Sequence, residues 1–131
     1  MPRADALRAL PLGQFGRFGL VGLSNTLLGI VADTAFRSAG LPAAAAGALA
    51  FAVGAANGYW WNGRWTFRAR DRSPVRYALA QVAGSGLTAL LVALAAAAAL
   101  PATAAFVLAI AIVTPTLFLA NRRWVFTVVT R

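Results

Sequence analysis

Four residues of the hexapeptide Asn62-Gly63-Arg64-Trp65-Thr66-Phe67 return 59 positions later in Asn121-Arg122-Arg123-Trp124-Val125-Phe126, as Asn-x-Arg-Trp-x-Phe. A guanidinium grips a phosphate through two parallel N–H bonds, which a lysine ammonium cannot do. Arg64 and Arg123, with Arg122 beside the second, are therefore candidate phosphate ligands, and two such arginines could clamp one phosphoryl group from both sides. Arginines just beyond an apolar segment also serve as topology signals, so that role stands beside the first.

Other polar side chains fall inside or at the ends of long apolar runs, where they are costly in lipid unless paired. They are Asn25, Asn57, Asn62, Gln81, Ser85 and Asn121. Counting at 1.5 Å per helical residue puts Asn25 about 10 Å inside the boundary marked by Phe18, and Asn57, Gln81 and Ser85 in the same half of a bilayer. These groups either hold helices together by amide hydrogen bonds or form a polar pocket for a headgroup. Asp33 is the one acid inside an apolar run, and its simplest partner is Arg37, four residues on. A sugar hydroxyl or a coupling proton is its alternative use. Thr114-Pro115-Thr116 interrupts the last run, as a kink or as the polar lining of a path.

The remaining inventory removes much chemistry. The chain has 131 residues, of which 60% are hydrophobic and 11% charged, against about 25% charged in soluble domains. Its mean hydropathy is +0.72. Every one of its 12 basic residues is Arg, the acids are Asp5, Asp33 and Asp71, and Lys, His, Glu and Cys are absent. With no His or Cys, no metal site of the usual kind and no disulfide is expected. No Walker lysine is present for ATP. Three scattered Asp residues make a poor acid/base pair, so neither catalysis nor a cofactor is expected. The net charge of +9 sits at the edges of apolar runs, where it meets lipid headgroups rather than nucleic acid.

Four apolar segments of about the ~20 residues that span a bilayer run from about Phe18 to Phe36, Leu41 to Trp61, Tyr77 to Leu100 and Ala102 to Ala120. Short turns around Ser38–Pro42 and Pro101 make two antiparallel hairpins. Arg3, Arg8 and Arg17 precede the first segment; Arg64, Arg68, Arg70, Arg72 and Arg76 separate the hairpins; Arg122, Arg123 and Arg131 follow the last. The positive-inside rule then makes both termini and the middle loop cytoplasmic. The expected fold is an all-α integral membrane domain over residues 1–131, four transmembrane helices arranged as two parallel-repeated hairpins. Sliding by 59 positions defines repeats of about 17–67 and 76–126, with Arg17 on Arg76, Phe18 on Tyr77 and Leu41-Pro42 on Leu100-Pro101. Ala50, Gly54 and Gly58 on the second segment, and Gly22 and Gly29 on the first, form small-residue faces suited to close helix packing or self-association.

The series FGLVGLSNTLLG, WNGRWTF, RYALAQVAGSG and ANRRWVF resembles the GtrA family, over about Phe15 to Phe126. Gly22-x-x-Asn25-Thr26 and the Asn-Arg-Arg-Trp-x-Phe ending carry most of that resemblance. It implies a small four-helix protein of the bacterial cytoplasmic membrane that works with polyprenyl-phosphate-linked sugars for cell-envelope polysaccharides. Such a protein either moves the sugar lipid across the membrane or supports a glycosyltransferase that makes or uses it. Family members often carry an acid one turn after the first-helix Asn; here that position is Gly29, and Asp33 comes a turn later. The expected partners are the sugar lipid, membrane lipids, a membrane glycosyltransferase and a second copy in a homodimer. A drug or cation exporter is a third reading, weakened by the off-centre place of Asp33.

Overall fold

The structure is a computed structural model describing residues 11–127; Arg3, Arg8 and Arg131, counted above as topology signals, lie outside the described residues. Among the described residues there are four long helices: α1 (Leu12–Ser38), α2 (Ala43–Trp61), α3 (Pro74–Ala97) and α4 (Ala102–Ala120). The chain divides after Phe67 into two compact units, α1 with α2 and α3 with α4. α1, α3 and the stretch Ala102–Val125 are long and apolar enough to cross a membrane. α2 has 19 residues, about 28 Å at 1.5 Å per residue, and carries its polar and interfacial residues, Asn57, Tyr59, Trp60 and Trp61, in its last turns. The chain is a membrane protein with several apolar helices.

Helix starts lie closer to the N-terminus than the apolar runs suggest. α1 begins at Leu12 and α3 at Pro74, where Ser73 caps the helix by accepting from the Arg76 N–H at 3.2 Å. Proline in the first turn has no N–H to lose there. Hydropathy locates the part of a helix that lipid demands, whereas the first turn of α3 is set by its Ser73 cap.

Within each unit the helices reverse through the same closed turn. In the first, Gly40 takes φ +93° and its N–H reaches the Arg37 carbonyl at 3.0 Å, while the Leu41 N–H reaches Phe36 at 3.1 Å. In the second, Ala99 takes φ +59°, with bonds from Ala99 to Ala96 and Leu100 to Ala95, both 3.0 Å. This is a left-handed C-terminal cap, which glycine adopts freely and alanine adopts at a cost of roughly 1–2 kcal/mol. The following prolines, Pro42 and Pro101, open α2 and α4.

Packing relies on small side chains, because lipid gives helices no hydrophobic drive to associate. α2 buries Ala46, Ala50, Gly54 and Gly58, four residues apart, and a Cβ on Gly54 would stand 3.2 Å from the Asn25 carbonyl oxygen. Gly29 also faces α2, but Gly22 does not belong to this seam: nothing lies within 4 Å of its Cβ position. Large apolar side chains such as Leu20, Leu23, Leu27 and Ile30 point outward instead.

Each unit ends in a five-residue π turn, π1 (Asn62–Thr66) and π2 (Asn121–Val125). The N–H of Phe67 donates to the Asn62 carbonyl, and that of Phe126 to the Asn121 carbonyl. Phe67 then packs on Phe18 (6.1 Å between ring centroids) and Phe126 on Tyr77 (5.9 Å). The duplicated hexapeptide therefore has a structural reason of its own. In π1 the Thr66 hydroxyl donates to Asn62 Oδ1 at 2.9 Å. In π2 Val125 takes that place; Asn121 Nδ2 donates to the Leu117 carbonyl at 2.7 Å, and its Oδ1 is buried without a partner. Val125→Thr should supply the missing donor and stabilise the protein by about 1 kcal/mol, read as a higher unfolding midpoint in detergent. An unchanged or lower midpoint would contradict this account of the turn.

The all-α expectation omitted one small feature. Asp71–Arg72 (β1) pairs antiparallel with Phe126–Thr127 (β2), tying the basic loop to the end of π2.

Candidate functional site

The polar centre lies in the first unit. Because Gly54 lets α2 approach α1 closely, Asn57 on α2 reaches two side chains on α1: its Nδ2 donates to Asn25 Oδ1 at 2.7 Å and to Ser24 Oγ at 3.1 Å. The Ser24 hydroxyl itself donates to the Val21 carbonyl at 2.8 Å. An amide NH₂ has two hydrogens and both are engaged here. That leaves the Asn57 carbonyl oxygen as an acceptor and the Asn25 NH₂ as a donor. Both residues are half-buried, beside a groove of about 410 Å³ lined by Leu20, Val21, Ser24, Asn57, Trp61 and Trp65. The arrangement suits a ligand that both gives and takes hydrogen bonds, as hydroxyls do.

Positive charge gathers at the π1 end of this groove. The Arg17 guanidinium lies 5.6 Å from the Trp65 ring centroid and donates from Nη1 to the Trp65 carbonyl at 3.5 Å. Arg64 lies over Trp60 at 4.4 Å. Stacking on an indole holds a guanidinium flat while its N–H edge stays open to an anion. Among the described residues the only ion pair is that of Arg37 with Asp33, 2.8 Å, near the other end of α1. Asp33 thus has the helical neighbour expected of it, although its Oδ1 is buried without a partner.

The second unit repeats the frame with different contents. Arg76 lies 5.7 Å from the Trp124 ring centroid and donates to the Trp124 carbonyl at 3.2 Å. A groove of about 430 Å³ occupies the corresponding position, with Leu79, Ala80, Ala83, Thr116, Ala120 and Trp124 where the first has Leu20, Val21, Ser24, Asn57, Trp61 and Trp65. Ala83 and Gly84 replace Ser24 and Asn25. Thr116 replaces Asn57, and its hydroxyl donates back along the helix to the Ile112 carbonyl at 2.8 Å. Pro115 is accommodated within α4, which runs unbroken to Ala120.

The expected pocket is thereby redrawn. Asn25 and Asn57 come together as its core. Asn62 and Asn121 line neither groove, because the π turns bury them. Gln81 is half-buried and Ser85 exposed on α3, and neither lines the groove of its own unit. Arg122 and Arg123 are exposed on π2. Ser24 carries no signal in the sequence beyond a serine in an apolar run, and Arg17 and Arg76 look there like topology signals alone. The 59-residue offset held the missing clue, since Arg17 and Trp65 recur together as Arg76 and Trp124.

A sequence model of the GtrA/DPMS transmembrane domain matches residues 17–126, nearly the whole chain. The chain belongs to the GtrA family. No curated protein matches it. Membership ties this GtrA chain to the handling of polyprenyl-phosphate sugars. Two stretches that resemble the family map onto the features just described. Gly22-x-x-Asn25-Thr26 supplies Asn25 to the polar cluster, and Asn121-Arg122-Arg123-Trp124-x-Phe126 is the π2 turn.

Proposed function

We propose that this GtrA-family protein is a flippase that reorients a polyprenyl-phosphate-linked monosaccharide across the bacterial cytoplasmic membrane, for glycosylation of cell-envelope polysaccharide. In this reading all four helices span, with both termini and the loop of residues 68–73 on the cytoplasmic side. The observation that carries it is the Ser24–Asn25–Asn57 cluster, a built polar site inside an apolar hairpin, with Arg17 and Arg64 held on tryptophan rings near its π1 end. The cluster would hydrogen-bond the sugar hydroxyls, arginines at the π turns would meet the phosphate, and the far end of the polyprenyl tail would stay in lipid. Transport would be passive, driven by consumption of the sugar lipid outside, with no catalytic step and no cofactor. A homodimer would give the sugar more enclosure than four short helices provide.

The second reading is a non-transporting scaffold that recruits a polyprenyl-phosphate glycosyltransferase. Arg68, Arg70 and Arg72, exposed beside β1, favour it as a docking surface. The two are separated in cells by comparing Asn25→Leu with reversal of the loop charges (Arg68, Arg70 and Arg72 to Glu). A flippase should lose surface glycosylation with Asn25→Leu and keep most of it in the loop variant, with both proteins inserted at normal levels. The opposite pattern would favour scaffolding.

A further inference from the structure

The two grooves share a frame but not a lining, and the difference points to different occupants. In the second unit the positions of Ser24 and Asn57 are taken by Ala83 and Thr116, and the Thr116 hydroxyl is engaged with its own helix. Beyond the Trp124 indole N–H and the Thr116 oxygen, the lining is wholly apolar and has no amide like that of Asn57 to meet a sugar. Trp61 lines the first groove where Ala120 lines the second. Its volume of about 430 Å³ lies within the roughly 300–1,000 Å³ of small-molecule sites. Along α3 it extends from Leu79 to Leu87, about 12 Å at the helical rise. One end is walled by Trp124, against which the Arg76 guanidinium lies. An elongated apolar slot with a guanidinium at one end and no acid in its lining complements an apolar chain with an anionic head.

We propose that the α3–α4 groove binds the first isoprene units of a prenyl phosphate, with the phosphate at Arg76. The choice of an isoprenoid chain rests on the function proposed above; the anionic head and apolar chain rest on the groove itself.

The test uses the full-length protein in nanodiscs and a photoreactive farnesyl phosphate, which carries no sugar. Labelling should concentrate on α3 and α4 residues of the groove. Ala120→Trp should cut it about tenfold, since the first unit already accommodates a tryptophan at this place. Ala83→Ile, from the facing helix, should do the same. The matching photoreactive farnesol, lacking the phosphate, should label several-fold less, and Arg76→Gln should erase that preference. Labelling spread evenly over the outward-facing leucines of both units would mean annular lipid only and would overturn the proposal. So would labelling indifferent to both groove-filling variants, or a change in oligomeric mass on Ala120→Trp with labelling unchanged, which would make a second copy the occupant. Reorientation of the sugar lipid is measured separately. Transport without groove labelling removes this assignment and leaves the function standing, while labelling without transport does the reverse.

Discussion

Replacing Asn57 by leucine is expected to reduce sugar-lipid reorientation at least tenfold while the protein still folds and inserts. Asn57 makes both hydrogen bonds of the α1–α2 cluster, so a purely structural role has to be separated from a ligand role by magnitude. Interhelical hydrogen bonds in membranes contribute about 0.6 kcal/mol on average and about 1.7 kcal/mol at most, and leucine is at home in lipid. The fold should therefore survive with a modestly lower unfolding midpoint. A sugar hydroxyl deprived of its acceptor in this environment loses more, and about 1.4 kcal/mol already makes a tenfold change in rate. Thr34→Leu, exposed on α1 and outside both grooves, should be nearly silent, because that hydroxyl serves only its own helix. Equal losses from both variants, measured as transport per inserted protein, would show that the cluster is only a fastening.

The second large effect concerns the arginines of the π turns. Arg64→Lys and Arg123→Lys keep the charge that topology counts, so both termini should stay on the same side. They lose the planar fork that grips a phosphate, and binding of lipid phosphosugar should weaken several-fold at whichever turn carries it. Arg68→Lys and Arg70→Lys are the appropriate controls. Arg72 is a poorer one, because its Nε donates to the Ala69 carbonyl at 3.1 Å. Binding measured on vesicles of matched protein content decides the matter. Four variants that behave alike would reduce these arginines to cytoplasmic anchors.

Much of the fold could be read from the chain because lipid imposes strict rules. Run length and hydropathy located the helices, and Pro42 and Pro101 marked where two of them begin. Gly40 and Ala99, 59 positions apart, both take positive φ in the turn between two helices. What hydropathy cannot encode is which of two similar asparagines ends up facing a groove. Asn57 and Asn62 are five residues apart, yet the π turn buries Asn62 against Thr66 while Asn57 meets Asn25. Five positions are roughly 140° around a helix, so the two lie on different faces, and only the neighbours that α1 and the turn bring up decide which face meets a groove. Ser24 escaped notice for a related reason. A lone serine in an apolar helix usually bonds back to its own backbone, as this one does to Val21, and only the approach of α2 at Gly54 gives it a second partner.

The most direct measurement is reorientation itself. The purified protein is reconstituted into vesicles containing a short-chain polyprenyl-phosphate sugar, and the fraction of that lipid exposed to an external membrane-impermeant reagent is followed over time. The account predicts that wild-type protein brings the inner pool to the outer face much faster than protein-free vesicles do, without ATP, and that Asn57→Leu abolishes most of that acceleration. Vesicles containing folded wild-type protein that exchange the lipid no faster than empty ones would contradict it.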